Sequence, residues 1–198
     1  MNNNENLIMV SEDDKATLRV YIDDDAGDPR EWTETISNIL IKHPNYTLGD
    51  DINIDTTPYR SWDELYEKIT SRDDVIEATP IYLYEHGGLT ISTSPYNCIW
   101  DSGQAGIVWI TTDDVKRYYG EVTEETIQQA IEEMEREIEL YDCYIRGDVY
   151  RYTLTDSQGE YIEGTGSIYG YTTLIEELRE YIQEPHTHLI DELQPLYT

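Results

Sequence analysis

Phenylalanine is absent from this 198-residue chain, and lysine occurs only at Lys15, Lys42, Lys68 and Lys116. Without phenylalanine, the large rings of any core must come mainly from 18 tyrosines and four tryptophans. A tyrosine hydroxyl needs a partner or water, so many of those rings belong at the edge of a core rather than at its centre. Cysteine is scarce as well. Cys98 and Cys143 are the only two, too few for a secreted disulfide framework and without metal-ligand spacing. No run approaches the roughly 20 apolar residues of a membrane span. The start, "MNNNENLIMVSEDDK", lacks the basic residues and long apolar centre of a signal peptide. The chain therefore reads as soluble and intracellular.

What it has in excess is acid: 42 Asp and Glu against 13 Lys and Arg, a formal net charge of -29, spread along the whole length. A surface of that sign repels phosphates, which argues against duplex nucleic acid as a direct ligand. Three readings of the acidity remain. In mimicry, carboxylates stand in for a phosphate array and occupy a basic protein. In salt adaptation, dispersed charge costs little self-repulsion because the Debye length at molar salt is only ~3 Å. The third is an acidic surface that is simply solvated. Nine arginines against four lysines resemble the composition of proteins from salt-accumulating archaea. The same screening would weaken a mimic that works by charge alone.

Hydropathy patterning predicts an α+β fold: a mainly antiparallel sheet packed by several amphipathic helices in a single domain. Residues 1–15 are polar and acidic apart from Leu7 to Val10 and are expected to be loose; 16–184 form the domain, and 185–198 a Pro-containing tail. "ATLRVYI" (16–22), "ATPIYLYE" (78–85), "GLTIST" (88–93) and "AGIVWITT" (105–112) read as strands, and 148–168 as a hairpin turning at Asp156 to Gly159. A helix is expected from Asp28, where Pro29 and Glu31 suggest a capping box. Trp32, Ile36, Ile39 and Leu40 then share a face as far as His43-Pro44. Further helices are expected after Ser61, before Gly120, over 123–145 and over 172–182. The 123–145 helix is the clearest, with Ile127, Ile131, Met134, Ile138 and Tyr141 at four-three spacing behind a Thr123 cap. Strands and helices do not alternate regularly, which favours antiparallel pairing. The oligomeric state stays open, since such a stripe suits a dimer seam or the chain's own sheet.

Four stretches together resemble a family of uncharacterised proteins encoded by phages, prophages and plasmids, many in Gram-positive bacteria. They are "DPREW" (28–32), "NYTLGD" (45–50), "YLYEHGGLTISTSPYNCIWDSGQAGIVWI" (82–110) and "LYDCYIRGDVYRY" (140–152). The resemblance implies a mobile-element context and no particular mechanism. This chain departs from the family in its acidity and in placing Tyr96 and Ile168 where phenylalanine is common. Those departures fit a halophilic viral or plasmid member.

The stretch from Tyr84 to Gly106 gathers the reactive side chains. A catalytic reading takes Cys98 as nucleophile, His86 as base and Asp101 or Glu85 as orienter, with amides near Ser102 and Gly103 receiving an oxyanion. A thiol with a pKa near 8.5 needs a histidine or a helix terminus to become a thiolate. No recognised nucleophile motif surrounds Cys98, and a small buried thiol beside a turn histidine explains the same residues. For a metal, His86, Cys98 and Asp101 lack a tight ligand pair, and Asp23-Asp24-Asp25 lacks the graded positions of a calcium loop. No metal is expected. Nor is a cofactor, because no Walker loop or dinucleotide fingerprint is present and "GTGSIYG" (164–170) lies in a predicted strand. A binding reading takes Glu85, His86, Tyr96, Asn97, Trp100, Asp101, Ser102 and Gln104 as one surface, with rigid aromatic area among short polar groups. Tyr82, Tyr84 and Ile91 serve equally well as core.

The expectation is a non-enzymatic protein of a virus or mobile element, acting in the cytoplasm of a host cell, whose interior is high in salt if the halophilic reading holds. It binds a host or viral protein and touches neither nucleic acid nor membrane. A basic nucleic-acid-binding protein of a host defence is the most concrete partner. The alternatives are a small hydrolase or transferase built on Cys98 and His86, and a minor virion or assembly protein.

Overall fold

The computed structural model describes residues 6–32, 34–52, 54–98 and 100–196. In chain order the elements are β1 (Leu7–Glu12), β2 (Ala16–Ile22), α1 (Pro29–Trp32), β3 (Asn38–Ile41), α2 (Trp62–Thr70), β4 (Val75–Glu85), β5 (Leu89–Ser92) and β6 (Ser102–Thr111). They continue with α3 (Thr112–Tyr119), α4 (Glu124–Arg146), β7 (Val149–Asp156), β8 (Tyr161–Tyr169), α5 (Tyr171–Tyr181), α6 (His188–Asp191) and β9 (Gln194–Pro195). Two compact units result, one from Met1–Gly27 with Cys143–Thr198 and the other from Asp28–Asp142. The α+β class with antiparallel strands is as the patterning predicts, with two sheets where one was expected. Among the described residues no helix is long and apolar enough to cross a membrane.

The first unit holds a five-stranded sheet in the order β8-β7-β2-β1-β9. Leu18 and Val20 of β2 stand opposite Leu154 and Tyr152 of β7, and all four are buried with Leu174, Leu178 and Ile182. Both ends of the chain correct the sequence reading. Leu7–Glu12 is not loose: Leu7, Met9 and Ser11 alternate inward along β1, which pairs with β2. Its apolar alternation is only a few residues long and is flanked by acids, so composition hides it. The tail from 185 also folds back. Leu189 and Ile190 are buried, β9 pairs with Met9 and Val10, and Leu196 N donates to Ile8 O at 2.8 Å. The acidic turn after β2 is occupied by the chain itself: Asp23 Oδ2 accepts from Ser167 N at 2.7 Å, and Asp24 accepts from the Asn6 amide.

The second unit holds a four-stranded sheet, β3-β6-β4-β5. Leu65 and Ile69 of α2 pack on it beside Leu40, Ile107 and Trp109, with Trp62 and Tyr66 half-buried around them. Ser61 Oγ caps α2 by accepting from Glu64 N at 3.3 Å, and the Glu64 carboxylate accepts from Arg60 N. The helix expected over 28–43 is corrected to the single turn α1 followed by strand β3. Ile36, Ile39 and Leu40 are buried as the pattern requires, yet Ile39 and Leu40 lie in β3 opposite Val108 and Ile107 of β6, and Ile36 lies in the bend just before it. Ile39 and Ile41 of β3 are β-branched and suit a pleated surface, so tertiary pairing overrides the helical spacing. Helix α4 follows expectation in its cap, where Thr126 N donates to Thr123 Oγ1 at 3.2 Å, and in the burial of Met134, Ile138 and Tyr141, but Ile127 and Ile131 are half-buried while Thr126 and Ala130 beside them are buried.

Candidate functional site

The end of the four-stranded sheet brings the predicted residues together. Tyr84 pairs with Ser102, and Glu85 N donates to Asp101 O at 2.9 Å, so the last residues of β4 lie against the first of β6. Gly87, at φ 72°, turns the chain into β5 in a backbone region that other residues enter at a cost. His86 thus sits over Asp101, with Nδ1 at 3.3 Å from Oδ2. Cys98 Sγ donates to that same Oδ2 at 3.6 Å, and Ser102 Oγ donates to the Cys98 carbonyl. His86 and Cys98 therefore meet through one carboxylate oxygen.

That order is wrong for thiol catalysis. A cysteine nucleophile needs the imidazole on the sulfur and the carboxylate behind the imidazole. Here the carboxylate lies between them, so a thiolate on Cys98 would face a second negative charge. Glu85, the other candidate orienter, is turned to a histidine that the sequence reading treated only as a helix end. His43 Nε2 lies 3.3 Å from Glu85 Oε2, and His43 Nδ1 accepts from Asn45 N at 3.2 Å. With Nδ1 accepting, the ring proton belongs on Nε2 and points at Glu85.

Five of the eight predicted binding residues, Glu85, Trp100, Asp101, Ser102 and Gln104, line one open cleft of about 360 Å³. Trp100 is 89% exposed, whereas Trp109, farther along β6, is 2% exposed. β3 ends opposite Gly106, so along Ser102 to Gln104 the described ladder pairs β6 with β4 alone. His86 joins the cleft through Asp101. Tyr96 does not line it: its ring packs 5.5 Å from that of Tyr84, and its hydroxyl lies 3.4 Å from Thr90 Oγ1. Asn97 is exposed and lies outside the lining. Tyr82 and Tyr84 are half-buried on one face of β4, while Ile81 and Leu83 fill the core on the other.

A second polar site escaped the sequence reading. A cleft of about 1170 Å³ is lined by Arg30, Ser37, Lys42, His43, Asp50, Arg117 and neighbouring residues. At its floor the buried Arg30 guanidinium donates from Nε and Nη2 to the two oxygens of Asp50 at 2.9 and 2.8 Å, and from Nη1 to Glu137 Oε2 at 2.9 Å. Glu137 also accepts from Ile36 N at 2.7 Å and Ser37 N at 3.1 Å. Burial alone draws the Arg30 pKa down, but Asp50 and Glu137 outweigh it and hold it above its ordinary value. No protein-family model, curated protein or solved structure matches the chain. The motif segments singled out in the sequence have a physical use in this unit. Arg30 of "DPREW" grips Asp50 of "NYTLGD", Tyr141 OH accepts from Gly49 N, and Asp142 Oδ1 accepts from Ile91 N and Thr90 Oγ1. These residues hold loops to helix and sheet.

The two sites differ in kind. The charges around Arg30 are mutually satisfied and form a support. Among the described residues the cleft beside Trp100 leaves Asp101 Oδ1 and Glu85 Oε1 without a donor. No group of three or more His, Cys, Asp or Glu side chains there, or elsewhere among the described residues, is arranged to hold a metal ion.

Proposed function

We propose that the protein acts by binding another protein, with the sheet end around Trp100 as its contact surface. The observation that carries this reading is the exposure of Trp100 on a cleft otherwise lined by Glu85, Asp101, Ser102, Gln104 and short neighbours. Buried anchors of protein interfaces are enriched in tryptophan, and an indole left in water is a cost that binding recovers. Net charge then selects the partner: a chain at -29 associates fastest with a basic surface. In the mobile-element context that the sequence resembles, the concrete partner is a basic, nucleic-acid-binding protein of a host defence. The acidic surface covers its groove. The lysine-poor composition supports a high-salt host cytoplasm as the setting of this contact.

The test is affinity capture from host extract across a salt series, with the Trp100→Ala variant alongside. The intact chain retains a basic protein at the host's own ionic strength, and Trp100→Ala retains at least tenfold less. Equal capture by both, or no basic protein at that ionic strength, ends this reading. The hydrolase or transferase alternative has the Cys98–Asp101–His86 order against it, since the carboxylate stands between thiol and imidazole. It requires Cys98→Ala and His86→Ala to abolish the biological effect while leaving the melting temperature unchanged. Full effect in both variants removes it.

A further inference from the structure

We propose that the cleft beside Trp100 is an arginine receptor: it takes the guanidinium of one arginine side chain from a basic partner. This rests on the binding reading above and goes beyond it by naming the group that is recognised. Three features of the cleft meet the needs of that group. The indole of Trp100 is 89% exposed and offers a face on which a planar cation stacks. Glu85 and Asp101 line the same cleft and each keeps one carboxylate oxygen without a donor among the described residues. A guanidinium presents its N–H groups as a planar fork and so reaches a carboxylate while stacked, which an ammonium does less well.

The carboxylates are also held in place. His43 Nε2 lies 3.3 Å from Glu85 Oε2, and Asp101 Oδ2 is shared by His86 Nδ1 at 3.3 Å and Cys98 Sγ at 3.6 Å. The two histidines thus position the acceptors, and their free oxygens need little ordering when the ligand arrives. The volume, about 360 Å³, suits a side chain rather than a stretch of polymer. Charge excludes an anionic occupant, and an open cleft lined by Glu85, Asp101, Ser102 and Gln104 argues against an aliphatic one.

The experiment uses the full chain and two synthetic peptides, alternating glycine with arginine or with lysine at equal length and charge. Binding is measured by calorimetry at fixed ionic strength. The arginine peptide binds about three- to fivefold more tightly than the lysine peptide, the size of an exposed cation–π contact. Trp100→Ala and Glu85→Gln each remove that preference, and Trp100→Phe keeps part of it. Unchanged melting temperatures show that the variants still fold, as the exposure of Trp100 leads one to expect. Equal binding of the two peptides, or a preference that survives Trp100→Ala, overturns the proposal. If such a result came with Trp100-dependent capture of a basic protein, the binding reading would stand and the arginine receptor alone would fall. An arginine preference without any captured protein would do the reverse.

Discussion

Single residues show where the sequence is silent. Trp100 precedes a polar Asp-Ser-Gly turn and Trp109 lies in an apolar strand, and the structure exposes the first and buries the second, but nothing local gives the extent of either. Arg30, in a segment read as a helix, is tied to Asp50 and Glu137, partners 20 and 107 positions away. Pairings at that range follow from strand order, which spacing does not encode. Tyr152 carries the opposite lesson. With no phenylalanine in the chain a tyrosine fills the centre of the first unit, 1% exposed, and its hydroxyl has no hydrogen-bond partner among the described residues. Burial, with Glu163 and Glu177 nearby, pushes its pKa up from 10.0 to about 12. The unfolded chain then ionises this group before the folded one does. Its contribution to stability is intact below about pH 10 and is lost as the pH rises toward 12. Tyr152→Phe is expected to raise stability near neutral pH by about 1 kcal/mol, the cost of an unsatisfied buried hydroxyl. It should also flatten the alkaline fall in urea-unfolding free energy. A destabilised Phe variant would mean that the hydroxyl has a partner, an ordered water for example.

At the scale of elements, several features are legible from local sequence alone. The four-three stripe of α4, the hairpin of β7 and β8, and the stop of α3 at Gly120 (φ 84°) are each written within a few residues of where they act. β3 is hidden in the sequence because Ile39 and Leu40 fit both a helical face that starts at Trp32 and a short strand. The tail was missed because α6 is one turn long and β9 two residues, too short to show a period. Its part in the first unit is nonetheless substantial, since Leu189 is fully buried and Ile190 nearly so. Leu189→Ala should cost about 2–5 kcal/mol, as large-to-small changes in a core do. His188→Ala, which removes an exposed contact to Asp13, should cost less than about 1 kcal/mol. Equilibrium urea unfolding followed by tyrosine fluorescence separates the two. Similar small effects from both would mean that the tail is an appendage after all.

For the whole molecule the dominant quantity is charge. Thirteen cations cannot neutralise 42 acids, and several of the few are committed locally, as Arg30 is to Asp50 and Glu137, Arg72 to Asp74 and Arg146 to Asp148. The remaining carboxylates repel one another more in the compact state than in the unfolded chain, so added salt should favour folding. Between 0.1 M and 1 M salt the Debye length shrinks from about 10 Å to about 3 Å, which removes most repulsion between dispersed surface groups. The melting temperature is therefore expected to climb through that range in potassium chloride. Sucrose at matched osmolality separates this from a general strengthening of burial, because it is excluded from protein surfaces but screens nothing. A steeper rise in potassium chloride than in sucrose identifies charge as the cause, and equal rises reject it. The same series bears on the contact at Trp100. Long-range attraction to a basic partner fades as the Debye length falls, whereas stacking on an indole does not. The share of binding lost in Trp100→Ala should hold steady from low to high salt while total affinity declines. If that share vanishes with the rest, charge alone makes the contact and the tryptophan is a bystander.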